Sequence, residues 1–240
     1  MGCEDSEYFG IGWVQDTSIG ISTSSQKWTG ITASVDGTKL AVTNEKPGNI
    51  WTSSDSGATW TEDTSVGAVK SWQGITSSSD GTKLAATEWN GIWVSSDSGA
   101  SWTEALDDSE GEGWRGITMS TDGTKITAGL FSGKIATSDD SGGSWTVSSA
   151  HSDIRWVQID ASPDGTKLVG AGQGAKIYKS SDSGATWTEM VVDETKTFYW
   201  WCTAMSDDGT KIAAGEYDDG NIWISSDSSA SWEEKIIGDG

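Results

Sequence analysis

The sequence is short of cysteine, histidine and arginine, and each shortage removes a class of protein. Only Cys3 and Cys202 occur in 240 residues, too few for a disulfide framework or a cysteine metal site. The single histidine, His151, lies in the polar stretch Ser148-Ser149-Ala150-His151-Ser152-Asp153 with no nucleophile-elbow motif beside it, and reads as a surface loop residue. Lys and Arg number 15 against 36 Asp and Glu, a net charge of −21. Nucleic acids and anionic membrane surfaces need a basic footprint, so neither is an expected partner. No run of about 18 apolar residues is available to span a membrane, and no signal-peptide pattern precedes the first repeat. Helical periodicity is missing as well.

Tryptophan and glycine are abundant instead, 16 and 31 residues respectively, and most of them fall in a repeat. Asp-Gly-Thr-Lys occurs five times, with glycines at Gly37, Gly81, Gly123, Gly165 and Gly209, separated by 44, 42, 42 and 44 residues. Nine residues before each glycine stands Trp28, Trp72, Trp114, Trp156 or Trp200, and 21 to 23 residues after it Trp60, Trp102, Trp145, Trp187 or Trp232. A period in the low forties with short strands and turn residues predicts an all-β fold, a five-bladed β-propeller of four-stranded antiparallel blades. In the second unit strand A is expected at 72–78, strand B at 83–87 and strand C at 91–95, with strand D around Trp102. The blades are expected at about 28–62, 72–104, 114–147, 155–189 and 200–235 of one domain, preceded by an N-terminal closing strand within 1–27. That strand is read from 13–20, a near copy of 60–67, and is expected to dock on the last blade so that no sheet edge is left bare.

Between strands C and D each unit carries Ser-x-Asp-x-Gly-x-x-Trp, with Asp55, Asp97, Asp140 and Asp182 preceding Trp60, Trp102, Trp145 and Trp187. The fifth copy, Asp227 to Trp232, has Ser229 in place of glycine. These turns resemble the Asp-box, or bacterial neuraminidase repeat, of sialidase-like propellers, and the likeness runs from about Trp28 to Trp232. It implies structural turns in which the Asp accepts backbone N–H bonds and the Trp packs between blades. Ser229 is expected to strain a turn that needs positive φ.

The same resemblance raises sialidase activity, and the sequence argues against it. That family is similar in holding a substrate carboxylate with three arginines, whereas this chain has Arg115 and Arg155 alone, and lysine does that task poorly. Paired carboxylates for glycoside hydrolysis stand in no recognisable context. The acidic loop 107–113 lacks ordered calcium-ligand spacing. The chain is therefore expected to be a non-catalytic binder without metal or cofactor.

The invariant turns read as scaffold, and the D–A and B–C loops on the opposite face vary. They carry Trp89 with Glu88, Phe131, Phe198, Tyr199, Trp201, and Tyr217 with Asp218 and Asp219, as well as Arg115 and Arg155. Variable loops on a rigid scaffold are where binding concentrates. A glycan is the leading ligand, held by these residues or at inter-blade pockets sharing Trp28, Trp72, Trp114, Trp156 and Trp200. A protein partner, as implied by a looser similarity to propellers that assist photosystem II assembly, is the alternative. A glycoside hydrolase, or a recently amplified or designed repeat without natural ligand, are the remaining readings. Met1-Gly2-Cys3-Glu4-Asp5-Ser6 matches a lipidation pattern at Gly2 and Cys3, although a monomer outside the cytoplasm is the expectation.

Overall fold

The computed structural model describes residues 27–45, 48–67, 70–107, 113–148, 154–173, 176–193, 198–217 and 220–235. These form twenty strands. The first sheet holds β1 (Trp28–Ala33), β2 (Leu40–Asn44), β3 (Ile50–Ser53) and β4 (Thr61–Glu62), and the second β5 (Trp72–Ser77), β6 (Leu84–Glu88), β7 (Gly91–Ser95) and β8 (Thr103–Asp107). The third holds β9 (Trp114–Met119), β10 (Ile126–Leu130), β11 (Ile135–Ser138) and β12 (Thr146–Ser148), and the fourth β13 (Arg155–Ala161), β14 (Leu168–Gln173), β15 (Ile177–Ser180) and β16 (Thr188–Met190). The fifth holds β17 (Trp200–Met205), β18 (Ile212–Glu216), β19 (Ile222–Ser225) and β20 (Glu233–Lys235). Every sheet is an antiparallel meander in sequence order. The leading strands β1, β5, β9, β13 and β17 are neighbours in that order and form the inner wall. This is a five-bladed β-propeller.

Hydroxyls and carboxylates build the turns. Between β1 and β2, Asp36 Oδ1 accepts Ser34 Oγ at 2.6 Å, Thr38 N at 3.0 Å and Thr38 Oγ1 at 2.8 Å, while Lys39 N donates to Ser34 Oγ. The same net recurs on Asp80, Asp122, Asp164 and Asp208. The unit motif is thus Ser-x-Asp-Gly-Thr-Lys, one serine longer than the repeat shows at first sight. Between β3 and β4, Asp55 Oδ1 accepts Ser53 Oγ and Thr59 N, Asp55 Oδ2 accepts Thr59 Oγ1 at 2.6 Å, and Gly57 N donates to Ser53 Oγ. Two consecutive residues here have positive φ, Ser56 at 59° and Gly57 at 88°. In the fifth blade Ser229 takes φ 74° without glycine's freedom, and its Oγ accepts Lys179 Nζ at 2.8 Å.

Hydrogen bonds to these carboxylates favour their charged form. The Ser34 hydroxyl, first among its donors, holds Asp36 at about 2, and the Ser120 and Ser162 hydroxyls do the same for Asp122 and Asp164. For Asp208, at about 2, the Thr210 amide leads, and for Asp227, also about 2, the Ser231 hydroxyl. Asp80, Asp55, Asp97, Asp140 and Asp182 are lowered by their hydroxyl donors too. A carboxylate depressed in the fold contributes stability above its unfolded value near 4, which is lost as pH falls through the folded value. Burial raises Asp160, which acts in the opposite direction. Ten groups outweigh one, so the urea midpoint is expected to fall steeply between pH 4 and pH 2. A midpoint unchanged down to pH 2 would contradict the shared role of these turns.

The core is divided among the seams between blades. Ala41 and Ile50 meet Trp72 and Ile75, and Ala85 and Ile92 meet Trp114 and Ile117. Ile135 meets Trp156 and Ile159, and Val169 and Ile177 meet Trp200 and Ile212. Each seam is also laced by polar contacts: Lys39, Lys83 and Lys125 each reach a turn serine of the following blade, Ser98, Ser141 and Ser183. Trp72 Nε1 donates to Gly48 O at 3.0 Å and Trp156 Nε1 to Gly133 O at 3.4 Å across their seams.

The boundary between the last blade and the first departs from this pattern. Trp72, Trp114, Trp156 and Trp200 are at most 1% exposed, whereas Trp28 is 44% and Ile31 71% exposed. Ile224, on the far side of the fifth blade, is also exposed, and Gly37 faces open space where Gly81, Gly123, Gly165 and Gly209 meet the preceding blade's lysine. Among the described residues Lys211 reaches no serine of the first blade. Trp28 thus differs from the other four leading tryptophans, because burial at this position is conferred by the preceding blade. The expected closing strand, with Gly2 and Cys3, lies outside the described residues.

Candidate functional site

Strands A begin and strands B end on one face, as the pairings Trp72 with Glu88, Trp114 with Leu130 and Trp200 with Glu216 show. In four of the blades a β-bulge follows the leading tryptophan and adds one residue to strand A: Thr29, Gln73, Val157 and Trp201. The third blade carries the same bulge: between the pairs Trp114 with Leu130 and Ile117 with Ala128, Arg115 and Gly116 of strand A oppose Gly129 alone, so strand A again has one residue more and Arg115 holds the position after Trp114. Bulges re-aim side chains at the rims of sheets, and here they give this face its varied chemistry.

The fifth blade contributes aromatic surface. Trp201 and Tyr217 rings lie 5.1 Å apart at 35°, and Tyr217 N donates to Tyr199 O at 2.9 Å. Tyr199, Trp201 and Tyr217 are 45%, 47% and 65% exposed, unlike the tryptophans beneath them. Phe198, expected on this face, is buried: it stacks on Trp200 at 4.6 Å and meets Trp223 edge-on, so it belongs to the seam.

The middle blades contribute cations. Arg115 and Arg155 place their guanidinium carbons 4.8 and 5.2 Å from the centre of one ring, Phe131. Among the described residues no carboxylate lies within ion-pair distance of either. Phe131 N donates to Gly113 O, and Gly113 N donates to Trp89 O. Gly113 has φ 84° and lies against the Trp89 ring, where a side chain would come within 3.3 Å of it, so half-exposed Trp89 is braced by the next blade. Glu88 is withdrawn from the face, 3% exposed and 3.5 Å from Lys70 Nζ, which also lies over Trp93.

The four sealed tryptophans Trp72, Trp114, Trp156 and Trp200 present no ring face to a ligand, which corrects the expectation of shared inter-blade sugar pockets at these positions. The turn tryptophans stay structural in place: Trp145 and Trp187 donate their indole N–H to their own turns at Gly142 O and Gly184 O. Asp160, the one described carboxylate that burial raises, accepts the Ala161 and Met205 amides, the latter across the seam to the fifth blade. Among the described residues no cluster of three His, Cys, Asp or Glu is gathered for a metal. Cys202 carries a free, exposed thiol, and His151, Asp218, Asp219 and 108–112 lie outside the described residues.

No protein-family model matches the chain. No curated protein matches it either. Solved structures do. A GH74 enzyme from Niastella koreensis superimposes with a TM-score of 0.69 at 18% identity, over 87% of this chain and 38% of that one. YCF48 bound to D1 peptide gives 0.67 at 15% identity, over 90% and 68%. The Cps50 (Swd1) β-propeller domain from Myceliophteria thermophila gives 0.68 at 14%, over 88% and 73%. The likeness is one of fold. This propeller spans under two fifths of the enzyme's length and about two thirds to three quarters of the other two chains.

Proposed function

We propose that this is a non-catalytic Asp-box propeller that binds a glycan on its variable face. The observation that carries the reading is the Trp201–Tyr217 pair, two half-exposed or more exposed rings 5.1 Å apart on a blade whose Phe198, Trp200 and Trp223 are sealed. Exposed aromatic faces on a preformed scaffold suit the apolar faces of pyranose rings, and a ligand meets them at small ordering cost. The lack of catalysis is supported by the use made of Asp160, whose raised carboxyl is held in a seam by two amides.

A protein-binding role is the second reading, favoured by neighbours solved as YCF48 bound to D1 peptide and as a nidogen/laminin complex. A glycan array followed by titration of the bound sugars separates the two. Trp201→Ala and Tyr217→Ala are expected to weaken binding at least about tenfold, near the upper end of what one aromatic contact supplies, with unchanged thermal stability. No bound glycan together with capture of a defined peptide ligand would replace the reading, and turnover of a fluorogenic glycoside would overturn the non-catalytic part.

A further inference from the structure

The chain is strongly acidic, with a net charge of −21, so a guanidinium in it is expected to find a carboxylate. Yet Arg115 and Arg155, the only two arginines, converge on Phe131 from successive blades and neither makes an ion pair among the described residues. A guanidinium placed over a ring face can still direct in-plane N–H donors at an acceptor. Arg115 Nε is enclosed and has no acceptor at all. Buried donors are ordinarily satisfied, so one that is not calls for an explanation. Lysines answer for the other cationic work of the molecule, bridging seams as point charges. Two arginines kept apart from that work supply forked, planar donors, the geometry that matches a carboxylate bidentately.

Resting on the glycan reading above, we propose that Arg115, Arg155 and Phe131 form an anion subsite and that the ligand is an acidic saccharide carrying hexuronate carboxylates. The subsite and the Trp201–Tyr217 platform lie on the same face, with Arg115 at the position after the leading tryptophan in the third blade and Trp201 at that position in the fifth. One offers a clamp for charge and the other a flat apolar surface, the two features that a uronic acid ring presents together. Most of the protein's negative charge is screened beyond roughly 8 Å at physiological ionic strength, so this local pair of cations governs an approaching carboxylate.

The test uses oligogalacturonate and the same oligosaccharide as its methyl ester, titrated calorimetrically into the wild-type chain at physiological salt. The acid is expected to bind at least about tenfold tighter than the ester. That preference is expected to vanish in the R115Q/R155Q double variant while ester binding stays unchanged. R115K/R155K keeps the charge without the fork and is expected to restore only part of the preference. Thermal melts of each variant separate loss of the site from loss of the fold, and if the double variant melts early, competition of the wild type by free galacturonate and its methyl ester gives the same comparison. Equal affinity for acid and ester, with Trp201 still required, would sink the anion subsite and leave the glycan reading standing. Arginine-dependent binding of an acidic peptide with no saccharide bound would overturn both.

Discussion

Trp114→Ala is expected to lower stability by about 3–5 kcal/mol, the range for emptying a fully buried tryptophan site. Trp114 is 0% exposed and is packed between Ala85 and Ile92 of one blade and Ile117, Met119 and Leu130 of the next. The side chain is the centre of its seam, and a strand cannot collapse to fill the space without breaking its own ladder. Trp28→Ala removes the same group from the equivalent position at the unsealed boundary, where it is 44% exposed, and is expected to cost only about 1–2 kcal/mol. Trp114 Nε1 is buried without an acceptor. Trp114→Phe, which deletes that donor together with part of the ring, is therefore expected to cost distinctly less than alanine. Denaturant midpoints of the three variants decide the matter, and equal losses for Trp28→Ala and Trp114→Ala would show that the seams do not control burial.

Gly116→Val is expected to pry open the seam between the third and fourth blades, at a cost of about 3 kcal/mol or more. A Cβ at Gly116 would lie 2.8 Å from Gln158 Cα and 2.9 Å from Ile159 N. These are backbone atoms of the next inner strand and cannot rotate away. The equivalent position in the fifth blade, Cys202, faces the unsealed boundary and is exposed, so Cys202→Val is expected to leave stability nearly unchanged. Urea unfolding monitored by tryptophan fluorescence measures both. A tolerated Gly116→Val would mean that adjacent blades are held less closely than their backbones indicate.

The repeat was legible because its turns are local. Asp36 bonds to Ser34 and Thr38, and Asp55 to Ser53 and Thr59, so each turn is written in a handful of consecutive residues. Even there the motif first read as Asp-Gly-Thr-Lys omitted the leading serine, whose hydroxyl bonds the Asp and accepts the Lys amide. What sequence withheld depends on the neighbouring blade. Trp28 and Trp114 occupy one position in the repeat and differ entirely in burial. Phe198 and Tyr199 are adjacent, yet one stacks in a seam and the other faces outward. Arg115 and Arg155 were separately visible as the two arginines of a variable face. Their meeting on Phe131 joins two blades across forty residues and follows from no local pattern.

The bare faces of Trp28, Ile31 and Ile224 also bear on how the molecule comes apart. Among the described residues this boundary is held by less packing than the seams of Trp72, Trp114, Trp156 and Trp200, so opening is expected to begin here and work round the ring, and the blade built around Trp114, farthest from it, to let go last.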